Sequence, residues 1–500
     1  MKNIIFLSLS LCLAFTICKG QKQKVAMATP ESLGISSQAI LNFIEAAEKE
    51  RKDDIHSFIL LRHGQIAAQG WWSPFSPETP HMLFSLSKSF TSTAIGIAQA
   101  EGLLSINDKV TSFFPDKTPN DSSKNRQAMR IRDLLTMNTG HDDDATGRME
   151  KDTTSWVKGF LSLPVEHKPG TRFVYNSGAT FMLSAIIQKV TGKTLLQYLT
   201  PRLFEPLGIE HATWETSPEG INSGGWGLKI RTKDIASLGQ LYLQKGMWKG
   251  KQLIPAAWVE EATKKQSSNG SNPESDWEQG YGYQFWRCRH DLYRGDGAFG
   301  QFCIVFPKQD AVLAITSGTS DMGAIMNLVW KYLLPALSEK PLADNKKTFA
   351  ALQNKLQSLS LSSIKGEPAS PQAATILNNT YSLSPNDEGL SEIAFALRPD
   401  NSSITFTQHG KPFTIPFGNG VMKSSSYPIP TGENTTENTK AASSGAWTSP
   451  DTLQVRTYLS ETPFSFTYNI TFNKNEVNIV RTSNVNIGPA TRMEMKGTKK

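Results

Sequence analysis

A serine followed three positions later by a lysine occurs at Ser85/Lys88, Ser155/Lys158 and Ser362/Lys365. Residues i and i+3 share a helix face, so such a pair can bring a hydroxyl and an amine together. A neutral amine there can take the hydroxyl proton and leave an oxygen nucleophile for acyl transfer. The spacing is cheap and does not separate the three copies. Their surroundings do. Ser85 stands at the N-terminal boundary of the predicted helix at "FTSTAIGIAQAEG", which is apolar nearly all round (Phe90, Ala94, Ile95, Ile97, Ala98) and therefore buried. Lys88 falls in its first turn, where both the helix dipole and burial disfavour an ammonium. The Ser85 backbone N–H lies where a helix start leaves donors without an intrahelical partner. Ser155 and Ser362 lie in polar, linker-like stretches.

A nucleophile of this kind needs help, and two further stretches offer it. Tyr175-Asn176-Ser177 immediately precedes a second buried helix. The same Tyr-x-Ser pattern recurs at Tyr458-Leu459-Ser460, and a core tyrosine with one hydrogen-bonded hydroxyl explains either copy equally well. In "YRGDGAFGQFCIVF", Gly295, Gly297 and Gly300 interrupt the start of a strand. Glycine there marks a turn or bulge, or close approach of another backbone or a ligand. Trp226 is either a pocket wall or a core aromatic. "GHDDD", residues 140–144, reads as a solvated loop after a helix rather than a metal site.

The elements that must position these residues follow from the pattern. "SFILLRHGQIAAQGWW" predicts a hairpin turning at His63-Gly64. Helices are predicted at "FTSTAIGIAQAEG" with Gly102 as its stop, at "IRDLLTMNTG" stopped by Gly140, and at "SGATFMLSAIIQKVTG" stopped by Gly192. Two more fall at "RTKDIASLGQLYLQKG" and "PAAWVEEATKK". "GYGYQFWRCR", "GAFGQFCIVFP" and "AVLAITSG" predict strands. The layout is α+β, an antiparallel sheet flanked by helices, over residues 27–340. Residues 341–372 read as a linker with one helix. From 373 to 500 the period shortens to two, as in "FSFTYNITFNKNEVNIV", where Phe464, Phe466, Tyr468, Ile470 and Phe472 share a face. That part is predicted to be a small all-β accessory domain, a sandwich or a barrel.

The chain has 500 residues, 38% of them apolar, and a formal charge of +7 without a dense basic run, so no nucleic-acid partner is expected. Residues 1–20, "MKNIIFLSLSLCLAFTICKG", read as a secretory signal: Lys2 leads an apolar stretch too short to span a bilayer. An exported protein, periplasmic or extracellular, is expected. Cys18 offers an alternative as a lipidated cysteine, although Phe15 and Ile17 fit that signal poorly. No later segment is long and apolar enough to cross a membrane. Cys288 and Cys303 are expected on neighbouring strands at different heights, as free buried thiols.

Taken in order, Ser85-x-x-Lys88, the Tyr175 triplet and the Gly295–Gly297 strand edge resemble the serine β-lactamase and penicillin-binding-protein superfamily. The tyrosine version is similar to class C β-lactamases, family VIII esterases and 6-aminohexanoate-dimer hydrolases. The resemblance covers roughly residues 30–335 and implies a β-lactamase/transpeptidase-like domain. It implies Ser85 as nucleophile, Lys88 as the base that takes its proton, and Tyr175 as a second base that passes a proton to the leaving group. Ser177 would line the pocket where relatives often carry Asn. Gly295-Asp296-Gly297 would stand where they carry Lys-Thr-Gly, and Ala298 would give the second oxyanion N–H beside that of Ser85. No metal or other cofactor is implied. Gly295 in place of lysine removes a holder of substrate carboxylates. Asp296 would repel them unless Arg294 or another cation compensates. The expected activity is therefore that of an esterase or amidase on a small ester, amide or unusual peptide. The alternatives are a non-hydrolytic or slowly deacylating penicillin-binding-type receptor, and a true β-lactamase or D-Ala-D-Ala carboxypeptidase.

Overall fold

The computed structural model describes residues 26–50, 54–121, 123–377, 379–398, 401–432, 435–486 and 492–500. The expected signal segment and Cys18 lie outside the described residues. The N-terminal part is built on a six-stranded antiparallel sheet. Its strands are β1 (Ile55–Arg62), β2 (Gln65–Trp71), β3 (Trp286–Arg287), β4 (Tyr293–Gly297), β5 (Gln301–Phe306) and β6 (Ala311–Ser317), in the spatial order β2-β1-β6-β5-β4-β3. The β1–β2 hairpin turns at His63 and Gly64, both with φ positive, at 50° and 71°. Two successive left-handed residues match the twist of a tight hairpin.

Successive side chains of a strand point to opposite faces, and both faces of this sheet are covered. Ile59, Leu61, Cys303, Val305, Val312 and Ala314 pack against the helices Ser87–Ala100, Ser177–Thr191 and Thr232–Leu243. Phe58, Leu60, Phe302, Ile304, Leu313 and Ile315 pack against Ser37–Glu50 and Met322–Leu328. Helix, sheet and helix thus form three layers. That double burial explains why β1, β5 and β6 read as nearly continuous apolar runs. Among the described residues no helix is long and apolar enough to cross a membrane.

Three expectations are corrected. The helix at "IRDLLTMNTG" spans only Ile131–Leu135. Met137 turns left-handed at φ 61° and breaks it, and Gly140 serves a backbone crossing in which His167 N donates to Gly140 O at 2.8 Å. "GYGYQFWRCR" contributes only the two-residue β3. Cys288 and Cys303 are buried and free, but β4 lies between their strands, and they face opposite sides of the sheet.

Lys346–Gln357 is a helix that buries Leu352 against the Ser37–Glu50 helix. Beyond it, ten strands form one antiparallel sheet: β7 (Thr380–Leu383), β8 (Leu390–Ala396), β9 (Ser402–Gln408), β10 (Lys411–Phe417), β11 (Lys423–Gly432), β12 (Thr435–Ser449), β13 (Thr452–Leu459), β14 (Ser465–Asn473), β15 (Glu476–Ser483) and β16 (Arg492–Lys499). The order is β10-β9-β8-β7-β16-β15-β14-β13-β12-β11. Chain neighbours are therefore also sheet neighbours, the chain ends pair as β7 and β16, and edge strands β10 and β11 pack together. Such an up-and-down, barrel-like closure protects the sheet edges. Tyr468, Ile470 and Phe472 point into its core, Phe466 on the same face is only partly buried, and Phe464, also partly buried, precedes the strand.

Candidate active site

Ser85 lies in a single 3-10 turn, Phe84–Leu86, that runs straight into the Ser87–Ala100 helix. Every residue of that helix from Ser87 to Ala98 is buried. Small and hydroxyl side chains make this close packing workable. Thr91 Oγ1 donates to Gly224 O at 2.8 Å, and Leu228 N donates to Ser87 Oγ at 3.2 Å. Lys88 is 1% exposed. Its Nζ stands 2.9 Å from Ser85 Oγ, 2.9 Å from Ser177 Oγ and 2.8 Å from Gly225 O. Burial lowers its pKa to about 7, with the charges of Asp144 and Asp296 pulling back upwards. A neutral amine has two donors and one lone pair. Gly225 O can only accept, and Ser177 Oγ can accept the second N–H, so the lone pair is left for the Ser85 hydroxyl.

Tyr175 is delivered by the chain entering the Ser177–Thr191 helix. Asn176 caps that helix: its fully buried Oδ1 accepts from Ala179 N at 3.1 Å and from Ala145 N at 3.2 Å. The Tyr175 ring stacks on Trp286 at 5.1 Å and meets Tyr281 edge-on at 6.2 Å. Its hydroxyl hydrogen-bonds with Ser85, and Lys88 Nζ lies 4.9 Å from the ring centroid. Burial, followed by the field of Asp296, pushes the phenol far above its ordinary range, so it stays protonated at neutral pH.

The end of β4 is pressed against the Ser85 turn. A Cβ on Gly297 would fall 1.9 Å from Leu83 O and 3.1 Å from Leu86 N. Ala298, the next residue, follows that contact. A Cβ on Gly295 would lie 2.5 Å from both Leu86 Cδ1 and Ser89 Oγ, so packing leaves no room there for a lysine side chain. Asp296 belongs to the opposite face of β4 and is not a bare charge. Its Oδ2 accepts from Arg294 Nε at 2.9 Å and from Trp277 Nε1 at 3.1 Å, and Arg294 is wholly buried. Arg294 thus supplies the compensating cation.

Ser85, Lys88, Tyr175 and Ser177 are therefore brought together, with Gly297 beside the Ser85 turn. Sequence reading missed two contributors. Gly225 gives a carbonyl to Lys88; the adjacent glycines at 224 and 225 were the signal, since a Cβ on Gly225 would sit 2.9 Å from Ser177 O. Asp144 accepts from Ser177 N at 3.0 Å, a carboxylate at a helix N-terminus, where the dipole favours it. The Asp142–Asp144 carboxylates are exposed as expected, but His141 is buried, with Nδ1 2.9 Å from Thr139 Oγ1. Trp226 is partly buried, packs on Trp156 at 5.9 Å and follows Gly225. The second tyrosine triplet is remote: Tyr458 donates to Ser362 O at 3.0 Å.

The sequence matches the family model described as Beta-lactamase over residues 47–333, more than half of the chain. The chain belongs to this family. It is 23% identical over 320 residues to the 6-aminohexanoate-dimer hydrolase of Paenarthrobacter ureafaciens, covering 59% of this chain and 80% of that one. Its fold resembles that of EstCE1, a hydrolase with promiscuous acyltransferase activity, at a TM-score of 0.50 and 16% identity over 59% of this chain and 99% of that one. It also resembles the structure of SurE with D-Leu, at 0.50 and 16% over 85% of this chain and 97% of that one. That last coverage is more than the N-terminal domain can supply, so this likeness extends into the barrel.

Proposed function

We propose that this protein is an exported serine hydrolase that forms an acyl-enzyme on Ser85 and cleaves a small, uncharged ester, amide or unusual peptide bond. The observation that carries the reading is the Lys88 amine, buried, 2.9 Å from Ser85 Oγ and titrating near 7. Neutral Lys88 takes the Ser85 proton as Oγ attacks the substrate carbonyl carbon. The oxyanion accepts from the N–H groups of Ser85 and Ala298, each such donor lowering the barrier by roughly 3 kcal/mol. As the intermediate collapses, the bond to the leaving group breaks and the Tyr175 phenol protonates it. The Lys88 ammonium returns a proton to Tyr175. Water then attacks the acyl carbon and gives a proton to neutral Lys88. As the second intermediate collapses and the acyl–Oγ bond breaks, the Lys88 ammonium returns that proton to Ser85 Oγ, which releases the acid and restores free Ser85 and neutral Lys88.

The relatives' hydrolase and acyltransferase descriptions agree with this acyl chemistry. Gly295 leaves no side-chain cation at the position where related enzymes carry lysine, which favours substrates without a carboxylate at that point. Export rests on the N-terminal signal pattern, and N-terminal sequencing of the mature protein checks it.

The test is mass spectrometry after brief exposure to p-nitrophenyl acetate, with nitrophenol release followed in parallel and Ser85→Ala alongside. Sustained release that vanishes in Ser85→Ala is expected. Release surviving in Ser85→Ala would overturn the assignment of Ser85. A single burst with a persistent adduct would instead indicate a slowly deacylating receptor.

A further inference from the structure

The loop joining β13 to β14, residues 460–464, reaches out of the barrel and lies against the strand that leads to the nucleophile. Met82 N donates to Glu461 O at 2.9 Å, three residues before Ser85. On the other side, Asn484 Nδ2 donates both to Pro463 O at 2.9 Å and to Gly318 O at 2.8 Å, tying the loop to the chain just after β6. The approach is close enough that a Cβ on Gly318 would lie 2.3 Å from Pro463 O. Thr462 is wholly buried. The loop is thus built into the N-terminal domain.

At its base, where Leu459 N donates to Phe464 O at 3.0 Å, Phe464 meets two other phenylalanines edge-on: Phe84 at 6.2 Å and Phe299 at 5.8 Å, themselves 5.3 Å apart. Phe84 immediately precedes Ser85, and Phe299 immediately follows Ala298. Both have left-handed backbones, φ 48° and 66°. Bulky residues are rare there, and such conformations persist only where surrounding contacts over-determine them. Phe299 O is held by Ser317 Oγ at 2.7 Å and Thr319 N at 3.1 Å. The aromatic cluster joins the side chains of the Phe299 and Phe84 turns, beside the close backbone packing of Gly297 on Leu83, and one of its three rings comes from the barrel.

We propose that Phe464 is a positioning residue for acyl transfer: by clamping Phe84 and Phe299 it holds the backbone N–H groups of Ser85 and Ala298 at the spacing an oxyanion requires. The barrel is then part of the catalytic apparatus rather than an appendage. This rests on the acyl-enzyme reading above and names a component that reading does not need.

The experiment measures acylation and steady-state hydrolysis of p-nitrophenyl acetate and butyrate by the full-length protein and by Phe464→Ala, Phe464→Leu and Phe464→Tyr. Phe472→Leu, in the barrel core, and Ser85→Ala are controls. In Phe464→Ala, kcat is expected to fall about tenfold to hundredfold for both esters, with KM and the pH profile little changed, because oxyanion geometry is needed whatever the acyl chain. Phe464→Tyr, which keeps the ring, should restore most of it. Phe472→Leu should lower the unfolding temperature without changing kcat per folded molecule. A loss in KM alone, or for butyrate alone, would overturn positioning in favour of a substrate wall. Unchanged kcat in folded Phe464→Leu would also overturn it, while Ser85→Ala stayed inactive. Failure of the wild-type protein to be acylated would remove the underlying reading itself.

Discussion

Ser85/Lys88 and Ser155/Lys158 share a spacing and a place at a helix start, and they do opposite things. Ser155 caps the Trp156–Ser162 helix: its Oγ accepts from Lys158 N at 3.2 Å, donates to Glu219 at 2.5 Å and receives Lys117 Nζ at 2.9 Å. The Lys158 side chain is left exposed. At Ser85 the helix is buried, the Lys88 side chain is 1% exposed, and its amine turns back onto the hydroxyl. What separates a cap from a base is whether solvent can take the lysine. A buried ammonium must be paired or lose its proton, and among the described residues Lys88 has hydroxyl and carbonyl partners but no carboxylate within hydrogen-bonding distance.

The comparison breaks most sharply by deleting each member. Ser85→Ala and Lys88→Met should each lower ester turnover by about a thousandfold or more, measured as nitrophenol release. Ser155→Ala should leave turnover intact and lower stability by about 1–2 kcal/mol, read from urea unfolding, because a cap and its buried partners are lost. A large activity loss in folded Ser155→Ala would erase the distinction.

Tyr175→Phe keeps the stack on Trp286 and removes only the proton donor. Turnover should fall roughly hundredfold, in the range for general acid–base groups. The loss should be largest for alkyl esters and amides, and small for nitrophenyl esters, whose leaving group needs no proton. Equal losses across leaving groups would place the tyrosine in another role.

The titration of Lys88 sharpens the contrast further. With its pKa near 7, activity should be level above that pH and fall about tenfold per unit below it, as the base becomes protonated. The same shift acts on folding. Between about 7 and the ordinary lysine value of 10.5, the unfolded chain holds a proton that the folded chain has released, so stability should rise with pH across that window. Denaturation of Lys88→Met as a function of pH should lack this slope, whereas Lys158→Met should retain it.

Much of this was legible because it is local. Burial of the Ser87–Ala100 helix follows from its composition, the β1–β2 turn from His63-Gly64, and the Ser177–Thr191 helix from its apolar run and Gly192. What escaped depends on contacts made across the chain. Met137 ends its helix early because the following segment turns to carry Val174, whose N donates to Met137 O at 2.9 Å. The Gly225 carbonyl is a ligand only once residues 88 and 225 meet. Phe464 looked like one more apolar residue on a strand face, since nothing local says that its loop leaves the barrel. The Asp142–Asp144 loop did read as solvated, and that impression concealed what Asp144 does at the N-terminus of the neighbouring helix.

Asp144 gives the smallest and most diagnostic effect. Its negative charge raises the Lys88 pKa against burial. Asp144→Asn keeps an oxygen that can accept from Ser177 N, so the geometry should survive while the charge goes. Lys88 then loses a proton more easily, and the acid limb of the pH–rate profile should move to lower pH. The carboxylate is exposed, so water and salt screen it, and the displacement should be only about a few tenths of a pH unit, shrinking further at high ionic strength. A shift to higher pH would contradict the sign of the interaction. No shift at low salt, with activity otherwise intact, would mean that Lys88 does not set the limb, and the base would have to be sought elsewhere among the groups around Ser85.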